Sequence, residues 1–336
     1  MKLVNLYGPG DVRIDDAAKP EPGPKDVLIK VAVCGICGTD LKYVDTGGPV
    51  GPKAHPMPLG HELSGIVESV GAAVSGLSVG TRVVVNPLAA GNLIGNGGPD
   101  GGFGEYLLVR RASEDACVFP VPDGVSLDAA ALTEPLAVSL HAVNRGEAKA
   151  GDKAVVLGAG PIGLGAIIAL KYRGVQSVVA VDVSETRLAL AERLGAGAVF
   201  DPRAGDLKSW LMEQHGESRV FGVPAAGTDL FIDAAGVGDV IREVLRCSKS
   251  GARLVVVGMH KVAVPVDFAK VLAKELTIRG SMAYPSEFPQ AIEMLASGRV
   301  NASPMITHEL HLGELAAALS IARDPNRSGK VVIHFG

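Results

Sequence analysis

Neither sign of charge is in excess. Lysine and arginine number 32 against 36 aspartates and glutamates, a formal net charge of −4, and charged residues make up only 20% of the chain. Without a basic run or patch there is no electrostatic footprint for nucleic acid or for an anionic membrane surface. Sparse charge beside a 47% hydrophobic share also excludes a disordered chain, which stays unfolded by being highly charged and poor in apolar residues. Cysteine is rare. Cys34, Cys37, Cys117 and Cys247 are too few for a disulfide scaffold in 336 residues, so reduced thiols are expected, available for packing, metal binding or catalysis. Long apolar runs are missing too: the longest uncharged stretch, residues 154–170, holds four glycines and a proline and falls short of the ~20 residues of a membrane span. The opening MKLVNLYGPGDVRIDD lacks the apolar core and cleavage site of a signal peptide, so a soluble, cytoplasmic protein is expected.

Glycine is what the chain has in abundance. Its 43 residues exceed the usual share of about 7%, with no G-X-Y period, so they belong in turns, tight packing and backbone-to-ligand contacts. At ~150 residues per domain the length predicts about two domains. The first ~130 residues read as β-rich, with branched runs at 27–33, 65–70 and 81–85 between Gly and Pro turns and only weak helical periodicity. From residue 154 the texture changes: apolar strands at 154–157, 178–182, 198–200, 230–233, 253–257 and 275–278 alternate with helices, the first two at 162–173 and 185–194. Such alternation implies a parallel sheet covered on both faces, an α/β fold. A helix at 287–297 and a last strand at 331–335 close the chain.

Gly158, Ala159, Gly160, Pro161, Ile162 and Gly163 fit G-x-G-x-x-G directly after a predicted strand and at the start of a helix. The first glycine permits the tight turn, the second lets backbone reach a pyrophosphate, and the third lets helix and strand pack closely. The helix start then offers unpaired N–H groups and the positive dipole end. Asp182 closes the next strand about 20 residues on, where a carboxylate accepts from a ribose 2′-hydroxyl and repels a 2′-phosphate. NAD is therefore expected rather than NADP, with Arg187 either stacking near the adenine or lying on a solvated helix face.

Cys34 and Cys37 form a C-x-x-C, but neither a zinc knuckle nor a thioredoxin-type pair fits: no second pair of ligands follows, and the motif lies in the β-rich segment. Cys34 reads as a buried packing residue. The remaining candidates are His61, Glu62 and Glu134. Read alone, His61 fits an ordinary core histidine, and Glu62 or Glu134 a solvated carboxylate; Glu134 precedes Pro135, where a turn is expected. Thiolate, imidazole and carboxylate together suit a catalytic zinc with an open position.

Gly60, His61 and Glu62, followed by Gly65, Gly71 and Val74, resemble the zinc-site signature of the medium-chain alcohol and polyol dehydrogenase family. Cys37 within CGICGTD, the fingerprint at 158–163 and Glu134 within EPLAVSLHAV match it in order, over essentially the whole chain. The resemblance implies a GroES-like catalytic domain (1–134 and 283–336) and a Rossmann NAD-binding domain (135–282), with the active site in the cleft between them. It makes Cys37, His61 and Glu134 zinc-sphere residues, Glu62 either a ligand or a neighbour of one, and Cys37, Thr39, His61 and Glu134 the catalytic set. EPLAV and IRGSMAYPSEF are similar to the sorbitol, butanediol and idonate branch, implying NAD-dependent oxidation of a polyol or vicinal diol to a ketone. Zinc would act as Lewis acid on the alcohol oxygen, and Thr39 would take the hydroxyl proton. A zinc-independent quinone or enoyl reductase and a non-catalytic dinucleotide-binding protein are the alternatives. The family's four-cysteine structural lobe should fall at 86–104, which has no cysteine, so one catalytic zinc and no structural zinc are expected. Lys42 stands where relatives commonly carry a proton-relaying histidine, Tyr43 is a pocket candidate, and Lys330 reads as a surface lysine, the alternative being an approach to the pyrophosphate as in relatives. A homodimer or homotetramer is expected.

Overall fold

The computed structural model describes residues 1–51 and 56–336. Packing divides them into two units, Met1–Glu134 with Ile306–Gly336, and Pro135–Met305.

In the first unit β1 (Lys2–Gly8) and β2 (Asp11–Asp16) form an antiparallel hairpin. β3 (Val27–Gly35) is the run VLIKVAVCG, buried at nearly every position because sheet neighbours and packed elements cover both of its faces. A helix follows, α1 (Gly38–Thr46), ended by Gly47 in the left-handed region at φ 80°. Periodicity hides this helix, since only Asp40 and Val44 are buried in it; its signals are its ends. β4 (Met57–Pro58) pairs with β1, and β5 (Glu62–Val70), β6 (Arg82–Val85), β7 (Tyr106–Val109) and β8 (Val118–Pro120) build the main sheet around β3. α2 (Leu127–Ala131) starts at Ser126, whose side chain accepts from Ala129 N, and α3 (Thr133–Arg145) follows at once. The turn expected at Glu134 is not there. Glu134 lies in the first turn of α3, where proline costs little because first-turn N–H groups have no intrahelical partner to lose.

The second unit is the parallel α/β layer expected from the alternation. β9 (Lys153–Leu157), α4 (Pro161–Tyr172), β10 (Ser177–Val181), α5 (Glu185–Arg193), β11 (Ala198–Phe200) and α6 (Leu207–His215) succeed one another. A hairpin absent from the sequence reading, β12 (Glu217–Val220) with β13 (Val223–Ala226), precedes β14 (Leu230–Asp233), α7 (Gly238–Cys247), β15 (Arg253–Val256), α8 (Phe268–Ala273) and β16 (Thr277–Gly280). The sheet order β11-β10-β9-β14-β15-β16 is parallel throughout and reverses direction beside β9, the doubly wound arrangement whose switch point binds ligands at the strands' carboxyl ends. α9 (Phe288–Ala296) also packs in this unit. Glu287, just before it, accepts from Asn144 Nδ2 at 3.1 Å and lies 2.9 Å from His141 Nδ1, so residues 283–305 group here rather than with the C-terminal return.

The return adds β17 (Ile306–His311), α10 (Leu315–Arg323) and β18 (Lys330–His334) to the first unit. β18 pairs antiparallel with β3 and parallel with β17, giving the order β17-β18-β3-β5-β6-β8. Val31, Leu63, Phe103 and Ile333 stand in the core of this unit; Val155, Phe231, Leu245 and Leu254 stand in that of the other. Among the described residues no helix is long and apolar enough to cross a membrane.

Candidate functional site

α1 and the start of β5 bring the first constellation together. Cys37 is the N-cap of α1, His61 immediately precedes β5, and Glu62 opens it. One ligand atom from each of Cys37, His61 and Glu62 lies within 4.8 Å of the others. The turn delivering His61 is held by Gly60 at φ +89°, where an added Cβ would come 2.6 Å from Phe103 N and 2.7 Å from its ring. Residues 86–104 pack against this turn as the glycine-rich loop expected there: Gly60 O accepts from Gly102 N at 2.7 Å, and Leu59 O from Phe103 N at 2.9 Å.

The residue that ties the constellation together is Asp40, to which the sequence reading gave no role. Fully buried, it accepts from Cys37 N at 2.8 Å and from Gly60 N at 3.2 Å, linking both ligand-bearing segments through one carboxylate. Its Oδ1 also lies 3.5 Å from His61 Nδ1, a buried ring atom with no aligned hydrogen-bond partner. Burial works against a charge on His61, but the Asp40 carboxylate and the Cys37 sulfur outweigh it and hold the ring's proton affinity well above the ordinary imidazole value. The pocket therefore favours a cation.

Lys330 is not a surface residue. Its ammonium is buried in β18 and donates to both oxygens of Glu62, at 2.8 and 2.6 Å, and to Ile36 O at 3.1 Å. Burial alone would lower its affinity for the proton, but the Glu62 carboxylate foremost, with Cys37 and Glu134 adding, raises it above the ordinary lysine value. Glu62 is thus a buried, paired carboxylate rather than a solvated one. Glu134 is buried, and its field reaches Lys330, but its carboxylate is not among the atoms brought within 4.8 Å of Cys37 and His61. Thr39 is half-buried in the first turn of α1; Lys42 is exposed; Tyr43 Oη reaches Asn96 Oδ1 at 3.4 Å. Cys34 is fully buried in β3, and burial pushes its thiol well above the usual range, as befits a packing residue.

The donor chemistry fits a zinc ion. Sulfur and imidazole nitrogen converge with a carboxylate, the His61 ring keeps a buried nitrogen without an aligned partner, and Asp40 lies beside that nitrogen to orient the ring.

The second constellation is the β9–α4 turn. Gly158 has φ +94°, and an added Cβ would stand 2.8 Å from Ala235 N; at Gly163 it would overlap Gly158 O. At Gly160, the N-cap of α4, it would meet only the Arg187 guanidinium at 3.6 Å. The backbone there is open to a ligand, Pro161 sets the first helical position, and no side chain caps the first-turn N–H groups. Asp182, one residue past β10, accepts from Ala159 N at 2.6 Å and Ser184 N at 2.8 Å, so its carboxylate is fixed against the loop. The arrangement fits a dinucleotide.

Comparison with known proteins identifies the family. Residues 161–297 match a zinc-binding dehydrogenase family model, and residues 23–123 match an alcohol dehydrogenase GroES-like domain. The chain is 35% identical to the (R,R)-butanediol dehydrogenase of Neisseria gonorrhoeae over 94% of each chain. It is 34% identical to human sorbitol dehydrogenase over 91% of this chain and 88% of that one. The crystal structure of 2R,3R-butanediol dehydrogenase from Bacillus subtilis superposes with a TM-score of 0.88 at 31% identity, covering 100% of this chain and 99% of that one. The chain belongs to the zinc-dependent medium-chain dehydrogenase/reductase family of alcohol and polyol dehydrogenases.

Proposed function

We infer that the protein oxidises a secondary alcohol of the polyol or vicinal diol class to a ketone with NAD as hydride acceptor, using one catalytic zinc ion per chain. The observation that carries the reading is the convergence of Cys37, His61 and Glu62 on one point, with Asp40 behind the imidazole. Cys37 and His61 would hold the ion, with a carboxylate from Glu62 or Glu134. When bound, zinc supplies Lewis-acid polarisation of an alcohol oxygen. The chain's own groups do the rest. Asp40 holds the Cys37 and His61 segments in one geometry, and Lys330 fixes the direction of Glu62 and offsets its charge. Thr39 Oγ1 would receive the hydroxyl proton and pass its own outward through the cofactor's ribose hydroxyls to solvent. Gly158, Gly160, Pro161, Ile162 and Gly163 form the pyrophosphate cradle, Asp182 selects a ribose 2′-hydroxyl over a 2′-phosphate, and Arg187 covers the face of Gly160.

The names of the similar butanediol and sorbitol dehydrogenases support substrates with adjacent hydroxyls. Absence of cysteine from residues 86–104 supports one catalytic zinc without a four-cysteine structural zinc. Free thiols at Cys34, Cys37, Cys117 and Cys247 fit a reducing compartment, and cytoplasmic residence is proposed on that ground. Strand β16 closes one edge of its sheet with Phe268 and Leu272 of α8 exposed in the same unit, a surface suited to a second copy of the chain in a homodimer or homotetramer. No observation favours a quinone reductase or a non-catalytic protein.

Two measurements test the reading together. Protein purified without chelator should carry about one catalytic zinc per chain and turn over vicinal diols or polyols with NAD, while Cys37→Ser should lose that zinc and the activity with its fold intact. An active metal-free enzyme, or turnover restricted to quinones, would overturn it.

A further inference from the structure

A second group of metal-ligating side chains lies in the first unit and shares no residue with the site above. Asp128 comes from α2, Glu309 from β17 and His334 from β18, and one ligand atom of each lies within 4.8 Å of the others. Three separate elements deliver them. α2 is fixed on the sheet by Ala131, which packs with Val33 and Val332, and this sets Asp128 beside β18. In the parallel β17–β18 ladder Glu309 stands opposite Val332, and His311 stands opposite His334, their rings edge to face with centroids 6.3 Å apart.

His334 faces both carboxylates at ion-pair distance without an aligned hydrogen bond to either. His334 Nε2 lies 3.2 Å from Asp128 Oδ1 and 3.6 Å from Glu309 Oε2. Nε2 and Oδ1 are nevertheless both shielded from solvent and both without a hydrogen-bond partner, so neither is aligned on the other. Ligand atoms bound to one zinc at about 2.0–2.2 Å in a tetrahedron stand about 3.3–3.6 Å from each other. The two separations are compatible with those edges. A neutral imidazole with two carboxylates brings two negative charges, matching a divalent ion. One nitrogen and two oxygens suit zinc or cobalt rather than calcium or magnesium, which call for six or more oxygens.

We propose that Asp128, Glu309 and His334 form a second divalent-cation site, of the zinc class, independent of the catalytic constellation. Glu309 is exposed, so the ion would enter from solvent and exchange readily, with water completing its coordination. His311 is exposed beside His334 but is not among the converging ligands.

Cobalt titration of the chelator-treated full-length protein tests this and separates it from the catalytic reading. An ion bound by Cys37 gives a thiolate-to-cobalt charge-transfer band in the near ultraviolet, whereas one bound by Asp128, Glu309 and His334 gives only weak visible bands. The expected result is two equivalents per chain, the second without the charge-transfer band and at a dissociation constant in the micromolar range. Glu309→Gln, a surface change that leaves the fold alone, should weaken the second equivalent at least tenfold, and His334→Ala should abolish it. Both should keep the first equivalent, and both should retain diol oxidation where the unmodified chain shows it. In Cys37→Ser the second equivalent should remain while the charge-transfer band disappears. The proposal is overturned if no second equivalent binds below about 1 mM, or if it binds but neither Glu309→Gln nor His334→Ala changes it.

Discussion

Replacing Lys330 by Met would leave the Glu62 carboxylate buried without its partner. The pair is nearly inaccessible, with both side chains at 1% exposure and nitrogen–oxygen distances of 2.6 and 2.8 Å, so solvent cannot take the ammonium's place. Removing one member of such a pair costs about 3–5 kcal/mol, because the charge left behind keeps its desolvation penalty and loses the attraction that offset it. The first unit, residues 1–134 and 306–336, is of a size at which each kcal/mol lowers the melting temperature by about 2–4 °C. A fall of about 10 °C is therefore expected for Lys330→Met, read by differential scanning calorimetry on chelator-treated protein so that metal binding does not mask it. The double variant Glu62→Gln, Lys330→Met should recover most of the loss, because neutral groups of similar volume often replace a buried ion pair at little net cost. Met at 330 shifting the midpoint by less than about 2 °C, or a double variant no more stable than the single one, would refute this account of the pair.

Three further outcomes follow from the same geometry. Asp40→Asn keeps the shape but weakens the hold on Cys37 N and Gly60 N and the orientation of His61; zinc affinity should fall about 10–100-fold, measured by competition with a chromophoric chelator, and unchanged affinity would count against the orienting role. Asp182→Gly removes the carboxylate fixed against the dinucleotide loop, so the ratio of kcat/KM for NADP to that for NAD should rise at least tenfold; an unmoved ratio would reject its assignment. Burial, with the Lys153 ammonium adding, pushes His215 down to about 4 from an unfolded value near 6.5. Between those values the unfolded chain binds more protons, so stability present above pH 6.5 is lost as the pH falls toward 4, by roughly 3 kcal/mol. His215→Asn should flatten that leg of the melting-temperature profile, and an unaltered slope would assign it to another group.

What the sequence made legible is what neighbouring residues determine. The β9, β10, β14 and β15 strands announce themselves as short continuous apolar runs because both faces of the parallel sheet are covered. The dinucleotide turn is equally plain, since its glycines, its proline and its acidic residue all act within a single βαβ segment. The hairpin of β12 and β13 escaped because its partly exposed ESRV and VPAA carry no such run, and α1 escaped because it buries one side chain per turn at most. Lys330 was misread for a deeper reason. Lysine is almost never buried unless paired, and its partner lies 268 positions earlier, beyond any local pattern.

The same reason explains why Asp40 went unassigned while Cys37 beside it did not. A metal ligand is recognisable by residue type, because few side chains offer soft sulfur or imidazole nitrogen. A positioning carboxylate is recognisable only by what it accepts. Within its own helix Asp40 is an ordinary first-turn acid accepting from the Cys37 N–H, a local role that any N-terminal acidic residue fills. Only when β5 returns beside α1 does its second oxygen meet Gly60 N and face the His61 ring. That Asp40 is wholly buried is then informative: a helix cap alone could stay at the surface, so the cost of desolvating this carboxylate is balanced by contacts from both segments that carry the ligands. Reading such sites from sequence therefore means asking, for every acidic residue beside a ligand, what a distant segment would have to bring to justify burying it.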